Sequence, residues 1–222
     1  MLEKIDINCD MGESFGNWNM GDDVGMMPRI TTANVACGFH ASDPLTMIET
    51  VKLAKQNNIQ VGAHPGLPDL LGFGRRAMNI TPEDAYAYVI YQVGALQGAL
   101  TTQGMKLHHI KPHGAFYSVL KTDESLASAV AQAIKELSSN PILYWPAPTS
   151  AAMPSAAKKA GIRVVGEIYP DLIYAPDGSL ITLDAESLCI HGDGPNSVAV
   201  ADAIHATLRE IGCDIDAVML AA

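Results

Sequence analysis

Residues 4–10, which read KIDINCD, alternate polar and apolar side chains along their whole length. Successive side chains of a β-strand point to opposite faces, so a strand here would have one apolar and one polar face. Parallel strands buried on both faces are normally hydrophobic almost throughout, which this stretch is not. The pattern instead favours a closed barrel, where apolar side chains meet surrounding helices and polar side chains face the interior.

The rest of the chain alternates short apolar runs with helical patterns, which predicts a parallel sheet. Strands are predicted near Lys4–Asp10, Thr32–Cys37, Gln60–His64, Leu107–His113, Ile142–Pro146, Arg163–Tyr169 and Ser187–His191. Helices are predicted near Pro44–Asn57, Pro82–Gln103, Asp123–Leu137, Ser150–Ala160 and Pro195–Ile211. We therefore predict an α/β fold, a seven-stranded (β/α) barrel that occupies residues 1–222 as one domain.

Polar side chains recur on one face of these strands and become denser toward their carboxyl ends. They include Asn34, His64, Lys111, His113, Glu167 and His191. An unpaired polar group costs several kcal/mol in an apolar setting, so inward polar groups need each other, water or a ligand. Active sites of barrels of this kind lie at the carboxyl ends of the strands, which places the predicted site there.

Composition limits the classes of partner. The net charge of −10 argues against nucleic acid and anionic membranes, both of which require a Lys/Arg surface. The first residues lack the apolar region of a signal peptide, and no apolar run is long enough to span a membrane, so we expect a cytoplasmic protein. The four cysteines form no CxxC pair, which favours buried free thiols.

Two carboxylates, Asp10 and Glu13, follow the first strand one tight turn apart. Close carboxylates separate their pKa values and so can divide acid and base roles; alternatively Glu13 is a solvated loop charge. His40 lies in the next strand-to-helix loop, either in the site or on the surface. Asp43, just before Pro44, is predicted to be the N-cap of a helix.

The remaining candidates lie at later strand ends. His64 has glycines nearby that leave room for a ligand, although a core histidine bonded to backbone is the alternative. Lys111 can offset a developing negative charge and His113 can transfer protons. Barrel closure would bring Asp193 near Asp10, unless Asp193 caps the last helix. For Arg75 and Arg76 two interpretations are equally good: they bind a substrate carboxylate together, or they are surface residues.

Five motifs in order resemble the LamB/YcsF family, which is the family of one of the three 5-oxoprolinase subunits. They are DINCDMGESFG at 6–16, NVACGFHASDP at 34–44, VGAHPGLPDLLGFGRR at 61–76, HHIKPHGAFY at 108–117 and CIHGD at 189–193. The resemblance implies a barrel of the glycosidase/deacetylase type. It also implies one component of an ATP-dependent 5-oxoprolinase, working with two further subunits, that opens the lactam of the small molecule 5-oxoproline to give glutamate.

The resemblance also suggests ATP binding, but the chain contains no GxxxxGK[ST] motif, so we expect the partner subunits to bind ATP. The chain departs from the family pattern after Glu167. Leu172 replaces the usual Arg, and the segment from Asp177 onward is shorter than in family members. That segment should overhang the site, so the departure bears on the identity of the substrate.

We expect ring opening to use Asp10 or Asp193 as base, Lys111 to offset charge, and His64 or His113 to protonate the ring nitrogen. The other candidates are expected to bind substrate: Glu13, Asn34, His40, Arg75, Arg76, Glu167 and His191. Two alternatives stay open. One is a metal-dependent amide hydrolase or deacetylase acting alone, with an Asp10, His40 and His64 site. The other is a non-catalytic binding subunit.

Overall fold

A computed structural model describes residues 4–170, 184–194 and 196–219. Its strands are β1 (Lys4–Met11), β2 (Thr32–Ala36), β3 (Gln60–His64), β4 (Leu107–Ile110), β5 (Ile142–Pro146), β6 (Arg163–Ile168), β7 (Ser187–Ile190) and β8 (Asp214–Ile215). Its α-helices are α1 (Asp23–Met26), α2 (Pro44–Gln56), α3 (Pro82–Thr102), α4 (Gly114–Thr122), α5 (Glu124–Leu137), α6 (Ala152–Lys159) and α7 (Ser197–Glu210). A 3-10 turn at Met27–Arg29 follows α1.

The strands β1 to β7 close into a parallel ring, which confirms the predicted barrel. Their order is β2-β3-β4-β5-β6-β7-β1, and β1 pairs with β2 on its other side. The register aligns Asp10 with Asn34 and Asp6 with Ser187. The carboxyl ends of all seven strands therefore lie at one mouth of the ring.

The apolar faces of the strands pack against the helices, as the alternating pattern predicts. Ile5, Ile7 and Cys9 are buried in the main core, which extends to Val89, Val93 and Leu96 of α3 and to Val130 and Ile134 of α5. Those helical positions recur every three or four residues, which puts them on one face of each helix. All four cysteines, within the described residues, are buried free thiols as predicted.

Polar side chains of β1, β2 and β7 form a hydrogen-bonded network inside the ring. At its base Asp6 accepts hydrogen bonds from the hydroxyls of Thr31, Thr32 and Ser187. Above it Asn8 donates to Ser187 Oγ at 2.7 Å and accepts from Asn34 Nδ2 at 2.7 Å. These buried groups satisfy one another, which is the condition for tolerating them inside a protein.

Three differences from the predicted elements stand out. The fourth strand ends at Ile110, not His113, because Pro112 has no N–H to donate to a neighbouring strand. Helix α4 is absent from the predicted elements, and it begins at Gly114 without a capping side chain. The short strand β8, also unpredicted, pairs with the start of β1.

Two further features concern the ends of the described segments. The last helix begins at Ser197 after Asn196, later than the predicted start at Pro195. The departures expected at Leu172 and from Asp177 lie outside the described residues. Among the residues that are described, no helix has the length and apolar character needed to cross a membrane.

Candidate active site

A cavity of about 580 Å³ opens at the carboxyl ends of the strands. Seven of the twelve predicted site residues line it: Asp10, His64, Arg75, Lys111, His113, Glu167 and His191. They come from β1, β3, β4, β6, β7 or the loops directly after these strands, so the ring itself brings them together. Tyr117 and Tyr169 line the same cavity.

Lys111 is buried at the floor of the cavity between two carboxylates. Its Nζ lies 3.2 Å from Asp10 Oδ1 and 3.2 Å from Glu167 Oε2, and it donates to Asn8 Oδ1 at 3.2 Å. Burial alone would lower the pKa of Lys111, but its anionic neighbours, Asp10 foremost, outweigh burial and raise that pKa well above its usual value. The side chain therefore stays a cation at neutral pH.

Asp10 is held as a carboxylate by the cations and donors around it. It accepts from Asn34 Nδ2 at 2.8 Å, and its Oδ2 lies 3.4 Å from His64 Nε2. Burial would raise the pKa of Asp10, yet His64 and Lys111 together hold it well below the ordinary value. Asp10 also remains partly open to the cavity, which allows it to meet a water molecule or substrate there.

A second group of side chains lies beside Asp10 and deeper in the protein. We call Glu13, His40, His64 and His113 the histidine cluster; all four are buried, and one donor atom from each lies within 4.8 Å of the others. Burial and the neighbouring imidazoles lower the pKa of His40 well below its usual value, and burial lowers the pKa of His113 to about 3. These two rings are therefore neutral at pH 7, and the group is of a type that can hold a metal ion.

The histidine cluster differs from the metal site expected from sequence. His40 and His64 belong to both sets, but Glu13 and His113 complete the observed group in place of Asp10, which contacts it through His64. Burial, followed by repulsion from Asp10 and Asp193, raises the pKa of Glu13 well above its usual value. Glu13 is thus a buried group of the site and not a solvated loop charge.

Other predicted residues take different places. Arg76 is turned away from the cavity and forms an ion pair with Asp69, which also accepts from Gly72 N, so the expected arginine clamp is reduced to Arg75. Asp193 is exposed and does not line the cavity. Asn34 lies below the cavity floor, where it supports Asp10.

Two contributors to the site are missing from the sequence-based set, although the period-two pattern could have found them. Asn8 precedes Asp10 by two residues on the inner face of β1, and it contacts both Lys111 and Glu167. Tyr169 follows Glu167 by two residues, donates from its hydroxyl to Glu167 Oε1 at 2.8 Å, and stacks on His191. Each lies one pleat from a predicted site residue, which is the signal that identifies it.

The fold and site together define a class: a seven-stranded parallel barrel with buried carboxylates, histidines and a lysine at its carboxyl mouth. The same fold occurs in a family 4 carbohydrate esterase from Bacillus anthracis (TM-score 0.51, 11% identity, 97% of this chain and 80% of that one). It also occurs in the Bc1960 peptidoglycan N-acetylglucosamine deacetylase (TM-score 0.52, 13% identity, 96% of this chain and 85% of that one). At these identities the likeness concerns the fold alone.

The chain belongs to the LamB/YcsF family, whose sequence profile matches residues 5–184 and 175–221. It is similar to proteins named as the A component of 5-oxoprolinase from Tolumonas auensis (40% identity, 97% of this chain, 100% of the relative) and Bordetella pertussis (41%, 98% and 100%). It is also similar to the crystal structure of a lactam utilization protein from Thermus thermophilus (38% identity, TM-score 0.89, 97% of this chain, 100% of that one).

The alignments bear on the segment that the sequence suggests is shortened. The alignment with the Tolumonas relative runs over 252 residues, although this chain has only 222 and 97% of it is aligned. The two ranges matched by the family profile meet at residues 175–184. The resemblance to the family predicts missing residues in this same stretch.

Proposed function

We propose that this chain is one subunit of an ATP-dependent 5-oxoprolinase and that its cavity hosts the hydrolytic opening of the lactam to glutamate. The observation that carries the proposal is the buried Asp10–Lys111–Glu167 arrangement in a chain whose relatives, matched over nearly the full length, are named as 5-oxoprolinase components. We further propose two partner subunits that bind the ATP, and a cytoplasmic location where ATP is available.

The chemistry requires activation because a lactam is a poor electrophile. In the proposed scheme ATP phosphorylates the lactam oxygen on a partner subunit. One water then adds to the ring carbon, the C–N bond breaks to give an acyl phosphate, and a second water releases phosphate and leaves glutamate. The net reaction is 5-oxoproline, ATP and two waters to glutamate, ADP and phosphate.

The residues of the cavity match the needs of these steps. Asp10 is ionised and partly open, so it can take a proton from water, a role worth roughly 10²–10⁴-fold in rate. Lys111 is a fixed cation that can offset charge on the phosphate or on the oxyanion. Arg75, at the rim, is available for the carboxylate of the substrate.

Return of the proton to the ring nitrogen is assigned to Asp10. His64 Nδ1 lies 2.6 Å from the carbonyl oxygen of Lys111, and His113 Nε2 lies 2.8 Å from that of Phe73. A carbonyl can only accept, so His64 donates through Nδ1 and His113 donates through Nε2. Those two N–H groups are engaged by the backbone, whereas Asp10 holds the proton that it has just removed.

The test combines this chain with its two partner subunits, ATP and 5-oxoproline, and measures glutamate. We expect ATP-dependent glutamate formation, and we expect Asp10→Asn to lower kcat by about 10²–10⁴-fold. Asp202→Asn, on the exposed face of α7, is the matched control and should retain full activity. Glutamate formation at the normal rate by Asp10→Asn would remove Asp10 from the mechanism, and its absence from the wild-type mixture would reject the proposed function.

A second candidate, an amide hydrolase or deacetylase acting alone, is favoured by the histidine cluster. The two candidates differ in their requirements. Activity of the isolated chain on an amide without ATP would support the second, whereas strict dependence on ATP and both partners would support the first.

A further inference from the structure

The histidine cluster is built from four side chains that approach each other from separate loops. His113 Nδ1 lies 3.0 Å from His64 Nε2, and His40 Nε2 lies 3.6 Å from Glu13 Oε1. The rings of His40 and His113 are stacked, with centroids 3.7 Å apart and planes 8° apart. Four potential ligand atoms are thus gathered in one buried place.

The hydrogen bonds of two of these rings fix which nitrogen of each is turned into the cluster. His64 Nδ1 donates to the carbonyl of Lys111, and His113 Nε2 donates to the carbonyl of Phe73. The remaining nitrogens, His64 Nε2 and His113 Nδ1, face each other at 3.0 Å, so at most one proton fits between them. Two such nitrogens need either a shared proton or a bound cation between them, because two bare lone pairs at this distance repel.

The other two members have polar atoms that lack any hydrogen-bond partner among the described residues. They are both ring nitrogens of His40, a side chain only 1% exposed, and Glu13 Oε1. Buried polar atoms without a partner are rare in proteins, and each one calls for a bound species that satisfies it. Here the unpartnered atoms belong to the same cluster as the two opposed nitrogens of His64 and His113.

The surrounding backbone is shaped to hold the rings in this position. A Cβ at Gly66 would lie 2.5 Å from His40 Nδ1, and one at Gly74 would lie 2.6 Å from the Cβ of His40. Gly74 also has φ +62°, a conformation that favours glycine. Phe73 has φ +53°, a conformation rare for non-glycine residues, and its carbonyl is the acceptor for His113.

We propose that Glu13, His40, His64 and His113 bind one divalent transition-metal ion. Three imidazoles and a carboxylate suit zinc, iron, nickel or cobalt, whereas magnesium and calcium prefer all-oxygen sites. Metal-bound histidines usually donate their other N–H to a carbonyl or carboxylate, which is the arrangement of His64 and His113. Such an ion, next to Asp10, would act as a Lewis acid towards a bound carbonyl or water.

The rival explanation is a proton shared between His64 and His113, with the charge balanced by Asp10. It would relieve the lone-pair contact but would leave His40 without a partner. The metal explains both observations with one species, and its ligand set includes His40 and Glu13 as direct contacts. The inference does not rest on the 5-oxoprolinase proposal, because metal binding is measured on the chain alone.

The experiment is metal binding to the purified full chain after dialysis against a chelator. We expect Zn²⁺ titration to show one site with micromolar or tighter affinity, and Co²⁺ to give a visible absorption spectrum typical of nitrogen ligands. His40→Ala and Glu13→Gln should each weaken binding by at least 100-fold. His205→Ala is the matched control because His205 lies on α7 and bonds to the Arg29 carbonyl; its binding should be unchanged.

Circular dichroism shows whether each variant is folded, and Glu13→Gln, which keeps the shape of the side chain, serves if His40→Ala does not fold. Two binding results would overturn the proposal. One is a folded wild-type chain that binds none of Zn²⁺, Co²⁺, Ni²⁺ or Fe²⁺ stoichiometrically at micromolar concentration. The other is stoichiometric binding that both variants leave unchanged. A ¹⁵N NMR signal of an imidazolium at His64 in the metal-saturated chain would also contradict it.

Discussion

Lys111 determines the charge balance of the cavity, because it is a single buried cation placed between Asp10 and Glu167. The period-two pattern at strand ends is enough to predict these three residues from sequence. In a barrel whose outer surface is covered by helices, the polar side of an alternating strand faces the interior. The same pattern could not exclude Arg76, whose pairing with Asp69 depends on how the loop after β3 turns. Contacts within a loop depend on backbone angles that alternation does not encode.

Replacing Lys111 with Met should therefore destabilise the fold as well as abolish activity. The substitution keeps the unbranched shape of the side chain but leaves two buried carboxylates without their cation. Removing one partner of a buried ion pair costs about 3–5 kcal/mol. Urea unfolding at neutral pH measures the loss. Lys121→Met, at an exposed position on α4, is the control and should stay within about 0.5 kcal/mol of wild type.

Among the elements, α2 shows most directly how sequence and structure correspond. Its predicted N-cap is confirmed, since the Asp43 carboxylate accepts from Leu45 N and Thr46 N, and it also accepts from Gly16 N in the preceding loop. Helix α4 shows the opposite case. It begins at Gly114 after His113, which makes no capping bond, so the sequence carries no recognisable start signal there.

We predict that Asp43→Ala lowers the free energy of unfolding by about 0.5–2 kcal/mol, the usual cost of losing an N-cap. Asp43→Asn should cost less because an amide oxygen can still cap the helix. The hydrogen bond from Gly16 N, followed by those from the helix, lowers the pKa of Asp43. Its ionic contribution is therefore present above the ordinary Asp pKa of about 3.9 and is lost as pH falls through the lower folded value.

The pH series separates the two parts of this prediction. Wild type should lose stability in this acid range relative to Asp43→Asn, which has no titrating group at this position. Equal pH profiles for the two proteins would show that the charge at Asp43 contributes nothing. Equal stabilities of Asp43→Ala and wild type at pH 7 would show that the cap itself does not stabilise α2.

For the molecule as a whole, the base of the ring is filled by residues that follow β8. Val218 packs there with Ile142, Tyr144 and Val165, and its carbonyl accepts from His108 Nε2. The sequence predicts the seven-stranded ring because strands alternate with helices along the chain and most of the strands have one polar and one apolar face. It does not predict this apolar plug around Val218, because the segment 214–219 is too short and irregular to show a period.

Introducing a charge at this plug should destabilise the barrel. Val218→Asp would bury a carboxylate in an apolar cluster, and we expect a loss of about 2–4 kcal/mol in the free energy of unfolding. Met219→Asp is the neighbouring control, because Met219 is 69% exposed and should tolerate the change within about 0.5 kcal/mol. Thermal unfolding followed by circular dichroism compares the two, and similar melting temperatures would mean that the base does not depend on Val218.

The pairing of β1 with β7 also sets when the protein can fold during its synthesis. Asp6 bonds to Ser187, its partner 181 positions later in the chain. A ribosome adding about 5–20 residues per second takes roughly 10–40 seconds to cover that interval. During that time β1 lacks its neighbour β7. The inward carboxylates of Asp6 and Asp10 remain without the Ser187 hydroxyl and the Lys111 amine until those residues have been synthesised.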